Sequence, residues 1–251
     1  MFRRRHFLDE DVDAFHIACW GWLLRGTGGM AEFGKTPLVL PTSEFFPKSE
    51  AQGYDRAAYI FDRTKILARM DEWPVDLVAQ AELPAQLSQN VYIQHEGRAA
   101  GTFQMHGTGG VISFDPAHIG APMVLVATFA HELGHYLNGA FDEPPPGGPE
   151  LTEPATDVTA VFLGFGLFGA NSSFDFRKNS EGWASQKLGY ISEAEWAFNI
   201  AIFCALGEHD IALLKPHLKP HIYGQVQSAL KFIARSDIVP AILEAGNVPT
   251  S

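Results

Sequence analysis

The stretch His131-Glu132-Leu133-Gly134-His135 carries the strongest local signal in the chain. Its two histidines are four residues apart, so on an α-helix they lie on the same face, one turn from each other. Two imidazoles in that arrangement can bind one zinc ion, and the glutamate between them then lies beside the coordination position that water occupies. The stretch therefore predicts a helix that carries two metal ligands and a general base, Glu132.

The apolar residues around this stretch predict the same helix. They follow helical spacing at Val126, Phe129, Ala130, Leu133 and Leu137. Pro122 suits a first helical turn and Asn138-Gly139 suits a C-terminal end. His131 and His135 fall off the apolar stripe, which indicates a half-buried helix with the histidines on a separate face. The alternative is a core helix that carries two incidental histidines.

Two further carboxylates follow a sharp turn. The run from Pro144 to Pro149, PPPGGP, cannot continue a helix. Thr152 can then cap a new helix that has Pro154 in its first turn. Two helices joined by a turn can lie antiparallel, which would bring Glu153 back towards the histidines. Asp157, one turn further along, could then brace a histidine ligand.

These carboxylates have alternative explanations. Glu150 lies in the same turn and competes with Glu153 as the third ligand. Both glutamates can also be anions that favour a helix N-terminus. Asp157 can be a capping or solvated carboxylate. The residues alone leave these alternatives open.

HExxH followed by ExxxD resembles the gluzincin metallopeptidases, the thermolysin-like division of the HExxH zincins, over about residues 121–170. The resemblance implies that His131, His135 and Glu153 are zinc ligands. It also implies that Glu132 is the general base and that Asp157 orients a histidine. It implies a zinc hydrolase that cleaves the peptide bonds of a peptide or protein substrate. The alternatives are a non-catalytic or regulatory protein with a structural zinc site, or a zinc hydrolase of a non-peptide amide. Glu132 argues against a structural site, which needs no carboxylate at that position.

The order of predicted elements indicates an α+β, zincin-like fold in a single domain, 1–251. It divides into an α/β part (1–120), the metal-site helices (121–170) and a helical C-terminal lobe (171–251). The expected sheet is small, twisted and mostly antiparallel, with strand candidates at Pro37–Leu40, Val75–Ala79, Val91–Gln94, Gly101–Met105 and Val111–Phe114. Further helices are expected at 8–25, Tyr54–Met70, Trp196–Leu206 after a capping box of Ser192 and Glu195, and near 221–235 and 238–245.

A group that stabilises an oxyanion should complete such a site, and several downstream residues are candidates. They are Tyr190, His217 and His221, with His209 and Tyr223 as further possibilities. Residues of these types are more often surface or packing residues than catalytic ones, and the sequence does not choose among them.

Composition limits the class of protein. A formal net charge of −11 and a pI near 5.3 argue against non-specific binding of nucleic acid and against a basic membrane-surface protein. The two cysteines, Cys19 and Cys204, make neither a disulfide framework nor a CxxC motif. Acidic residues from Asp9 onward interrupt any signal-peptide-like apolar region after MFRRRH. We expect a soluble, cytoplasmic protein without nucleic-acid or membrane partners.

Overall fold

The computed structural model describes residues 6–80, 100–106, 109–179 and 191–247. Within these ranges the chain is α+β, with nine α-helices and one three-stranded sheet. The helices are α1 (Glu10–Thr27), α2 (Met30–Phe33), α3 (Gly53–Leu67), α4 (Pro122–Gly139), α5 (Thr152–Phe162), α6 (Gly166–Asn179), α7 (Glu193–Leu206), α8 (Pro220–Ile233) and α9 (Ile238–Gly246). The strands are β1 (Val75–Ala79), β2 (Gly101–His106) and β3 (Gly109–Phe114).

The sheet is mixed. Its order is β1-β3-β2, with β1 parallel and β2 antiparallel to the central strand β3. The expectation of a mostly antiparallel sheet was therefore wrong for the described strands, because apolar alternation indicates which face of a strand is buried and not the direction in which it pairs. The strand candidate Val91–Gln94 lies outside the described residues.

The segment Pro37–Leu40 is not a strand. Its Val39 N–H donates to the carbonyl of Gly164, 3.1 Å away, at the junction of α5 and α6. Gly164 has a φ of +94°, and a Cβ there would overlap the carbonyl oxygen of Pro37. The segment contacts a helix junction through this single hydrogen bond, and one such bond does not make the ladder of a strand pair.

The helix predicted around HELGH is α4, and it ends at Gly139 as expected. The predicted apolar stripe is fully buried, at Val126, Phe129, Ala130, Leu133 and Leu137. His131 and His135 lie off this stripe with side chains that are 14% and 20% exposed. Because α4 packs against α3, α5, α6, β2 and β3, it occupies the centre of the described structure and holds the histidines on its remaining face.

The helices beyond α4 complete one buried apolar cluster that runs from α1 to α9. α8 packs on α7, and α9 packs on α1. The predicted capping box is confirmed, since the Ser192 hydroxyl accepts from the Glu195 N–H and the Glu195 carboxylate accepts from the Ser192 N–H. Among the described helices, none combines the length and the apolar character that crossing a membrane requires.

Candidate metal centre

Three side chains from α4 and α5 converge on one point. His131, His135 and Glu153 each offer a ligand atom, and these atoms lie within 4.8 Å of one another. The two Nε2 atoms are 3.1 Å apart, and Glu153 Oε2 lies 3.2 Å from His131 Nε2 and 3.5 Å from His135 Nε2. Two imidazole nitrogens and a carboxylate oxygen at these separations could hold a metal ion.

The turn between α4 and α5 brings Glu153 to the histidines. Gly147 and Gly148 adopt φ of +84° and +80°, conformations that favour glycine, and a short 3-10 turn leads into α5. Thr152 is the first residue of α5 and not its cap, because its hydroxyl donates to the Pro149 carbonyl and Leu151 holds the N-cap position. Glu153 is then the second helical residue. Glu150 is exposed in the 3-10 turn and is not among the three converging side chains.

Asp157 holds Nδ1 of His131, the outer ring nitrogen, whereas Nε2 is the inner nitrogen that lies within the cluster. The Nδ1–H of His131 donates to Asp157 Oδ1 at 2.9 Å, and Asp157 Oδ2 accepts from the Ile191 N–H at 3.2 Å. Asp157 is only 4% exposed, so both carboxylate oxygens are used inside the protein. With Nδ1 engaged in this way, Nε2 of His131 is directed at Glu153.

The outer nitrogen of His135 faces a different partner, which the sequence did not reveal. Thr156 Oγ1 lies 3.3 Å from His135 Nδ1, and Asn138 Nδ2 donates to the same hydroxyl at 3.2 Å. Asn138 Oδ1 in turn accepts from Thr159 at 2.9 Å. Thr156, three residues after Glu153, belongs to no recognisable sequence motif. Its contact with His135 becomes visible only from the way α4 and α5 pack against each other.

The two helices approach closely at Gly134. A Cβ at that position would lie 3.1 Å from the Thr156 methyl carbon and 3.2 Å from the Thr156 carbonyl oxygen. Any larger residue would have to push α5 away from α4. The glycine inside HELGH therefore sets the spacing at which Glu153 and Thr156 reach the histidines.

Glu132 is buried beside the first strand residue of β2. It is 6% exposed, and this burial raises the pKa of its carboxyl group above the ordinary value. A Cβ on Gly101 would overlap the Thr128 side chain and would lie 3.1 Å from Glu132 Oε1. The absence of a side chain at Gly101 thus lets the backbone of β2 pass directly over the carboxylate.

The charges of the cluster favour a cation at its centre. Burial lowers the pKa of His131, but hydrogen bonds to Asp157 and Glu153 outweigh it and raise that pKa well above the ordinary value. Burial likewise raises the pKa of Glu153, and its contacts with the two histidines outweigh it and lower that pKa strongly. Both shifts have one physical cause, which is that positive charge among these side chains is stabilised by the carboxylates.

The proposed oxyanion residues are scattered. His221 lies on the surface in α8, with Nε2 3.3 Å from Glu193 Oε2. His217 is half-buried before α8 and its carbonyl accepts from Asn171 Nδ2. Tyr190 lies outside the described residues. Of the further possibilities, His209 stacks on Phe203 and Tyr223 packs against the core. The role of each stays a prediction.

Comparisons of the chain with protein-family models, with curated proteins and with solved structures found no match.

Proposed function

We propose that the protein is a zinc-dependent hydrolase of the gluzincin type, and more specifically a metallopeptidase. The observation that carries this proposal is the convergence of His131, His135 and Glu153 beside the buried carboxylate of Glu132. A cluster that served only as structure would have no use for an uncoordinated carboxylate next to its ligands.

The donor set fits zinc. Bonds of about 2.0–2.1 Å at tetrahedral angles separate neighbouring ligand atoms by about 3.3 Å. The three separations here are 3.1, 3.2 and 3.5 Å. Two neutral imidazoles and one carboxylate are also the ligand types of known catalytic zinc sites with three protein ligands. His131, His135 and Glu153 would hold the ion and leave further coordination open.

Bound zinc would supply Lewis acidity, which lowers the pKa of water and polarises a carbonyl group. Glu132 would accept the proton of the attacking water and pass it to the leaving amine. Asp157 would keep the proton of His131 on Nδ1, so that Nε2 would be the atom that coordinates the metal.

The position of β2 supports a peptide substrate over a small amide. β2 stands at the edge of the described sheet, and its first residue, Gly101, lies beside Glu132. An extended peptide can pair with a sheet edge through its main chain, whichever side chains it carries. A scissile amide bound there would be brought close to the general base.

Metal analysis and hydrolysis of a peptide library test the proposal together. We expect about one zinc ion per chain, a melting temperature that a chelator lowers, and cleavage that the chelator abolishes. No zinc and no chelator effect would refute the metal site. Bound zinc with no cleavage of any library peptide would favour the structural-zinc or non-peptide alternative.

Glu132→Gln separates the base from the ligands. Glutamine keeps the size and hydrogen bonding of the side chain but cannot accept the proton. Zinc content should stay at the wild-type level while hydrolysis falls by at least about a hundredfold, the low end for losing a general base. Wild-type cleavage rates in this variant would contradict the proposed mechanism.

A further inference from the structure

Thr156 has no role in any of the motifs that led to the site, yet its hydroxyl lies against a proposed ligand. Its Oγ1 is 3.3 Å from His135 Nδ1, and the side chain is completely buried between α4 and α5. It lies on α5 three residues after Glu153 and directly before Asp157. Two consecutive residues of α5 thus face the outer nitrogens of the two histidines.

The hydrogen-bonding capacity of this hydroxyl is fully used. A threonine hydroxyl has one donor and two acceptor lone pairs. Its donor goes to the Thr152 carbonyl at 2.9 Å, and one lone pair accepts from Asn138 Nδ2 at 3.2 Å. The second lone pair remains for His135, so the hydroxyl can only accept there. The imidazole must then carry its proton on Nδ1, which leaves the lone pair of Nε2 for a ligand.

We infer that Thr156, held by Asn138, is a positioning residue that fixes the tautomer and ring orientation of His135 for metal binding. The inference rests on the proposed zinc function. The two histidines would then be oriented by different chemistry, His131 by the carboxylate of Asp157 and His135 by a neutral hydroxyl. A neutral acceptor adds no further buried charge to those of Glu132 and Asp157, and such a charge would be costly among the surrounding apolar helices.

Thr159 provides a matched control. It lies three residues further along α5 and is equally buried, and its hydroxyl shares one proton between Asn138 Oδ1 at 2.9 Å and the Ala155 carbonyl at 2.8 Å. Both of these acceptors are distinct from His135, whose Nδ1 lies against Thr156. Thr159→Val therefore disturbs the same network without removing the contact to the ligand.

Zinc affinity of the full chain, measured by competition with a chelating dye, decides the inference. Thr156→Val should weaken zinc binding roughly ten- to a hundredfold, the usual cost of losing a group that orients a metal ligand. Thr156→Ser keeps the hydroxyl and should restore wild-type affinity. Thr159→Val should lower the melting temperature as much as Thr156→Val but leave zinc affinity unchanged. Equal zinc affinities for the two valine variants would overturn the inference.

A second measurement determines the tautomer of His135 in the absence of metal. In metal-free protein with ¹⁵N-labelled histidine rings, the His135 signals, assigned with a His135→Gln variant, should show a proton on Nδ1 in wild type and in Thr156→Ser. Thr156→Val should show a mixture of both tautomers. An unchanged Nδ1–H form in Thr156→Val would overturn the inference by itself. If wild type bound no zinc, the proposed function would fail, and this spectrum would still decide the contact.

Discussion

Two clusters in this molecule pair a histidine with a carboxylate from another helix, and they differ in what the second ring nitrogen of the histidine contacts. In the metal centre, His131 on α4 meets Asp157 and Glu153 on α5. In the other cluster, His16 on α1 lies 3.2 Å from Glu195 on α7. Both histidines have a carboxylate partner, and their exposed side-chain fractions are 14% for His131 and 0% for His16.

The second nitrogen of His16 is satisfied by the protein. Its Nδ1 accepts from Asn199 Nδ2 at 3.1 Å, and Asn199 Oδ1 accepts from the Trp20 indole at 2.9 Å. His16 is also completely buried. In the metal centre the outer nitrogens are engaged, whereas the two inner Nε2 atoms face each other and Glu153. A histidine beside a carboxylate therefore indicates a ligand only when several ring nitrogens converge on one point.

The start of α7 connects the two clusters. The N–H of Ile191 donates to Asp157, and one turn later Glu195 closes the capping box and contacts His16. The helix start thus holds the orienting residue of the metal centre on one side and the α1 contact on the other. Variants in each cluster show whether the two are separable.

The largest expected effect is the loss of metal in Glu153→Ala. Only two histidines would remain, fewer than the three protein ligands that a catalytic zinc site uses. Zinc should be lost during dialysis against buffer, while circular dichroism of the metal-free variant stays like that of metal-free wild type. Stoichiometric zinc in dialysed Glu153→Ala would show that another residue supplies the third ligand.

The opposite result is expected for His16→Ala. This substitution leaves a cavity and removes the partners of Glu195 and Asn199, so it should lower the free energy of unfolding by about 2–4 kcal/mol. Zinc stoichiometry and affinity should match wild type under conditions where the variant is folded. Urea unfolding and zinc titration of the same sample measure both, and a parallel loss of zinc affinity would mean that the two clusters are coupled through α7.

The sequence predicted the parts of the site that lie on one helix. Val126, Phe129 and Leu133 defined the buried face of α4. The two histidines are four residues apart, so helix geometry alone predicted that they share a face. Glu153 and Asp157, on the next helix, were predicted because the turn after α4 can lay that helix antiparallel and because HExxH followed by ExxxD resembles the gluzincin pattern.

What the sequence did not reveal depends on contacts between elements. Thr156 meets His135 only because Gly134 lets α5 approach α4, and Gly101 meets Glu132 only because β2 crosses α4 at that point. The pairing direction of β1 likewise depends on how the chain returns to the sheet. Hydrophobic periodicity predicts which face of each helix or strand is buried. It does not predict which residues of one element contact which residues of another.

A smaller effect, with a distinctive pH dependence, is expected for Glu195→Gln. Burial raises the pKa of Glu195, but hydrogen bonds from His16 and Ser192 outweigh it, so the pKa lies below the ordinary value of 4.5. A lowered folded-state pKa contributes stability that is present above pH 4.5 and is lost as the pH falls through the folded-state pKa. Glutamine can keep the capping box. The variant should be less stable than wild type by about 1 kcal/mol at pH 7, and the difference should close in acid. Urea unfolding from pH 7 to pH 3 measures it, and a pH-independent difference would contradict the assignment.

The smallest effect belongs to Glu150→Ala, which tests the choice between the two glutamates of the turn. Glu150 is exposed in the 3-10 turn before α5, whereas Glu153 Oε2 lies within 3.5 Å of both histidines. Its remaining contribution is that of an anion near a helix start, which solvent screens, so its loss should cost a few tenths of a kcal/mol. Zinc affinity should stay at the wild-type level, with Glu153→Ala measured beside it as the positive control. If Glu150→Ala lost zinc and Glu153→Ala kept it, Glu150 would be the third ligand, and the turn would have to rearrange on metal binding because Glu150 is not among the three converging side chains.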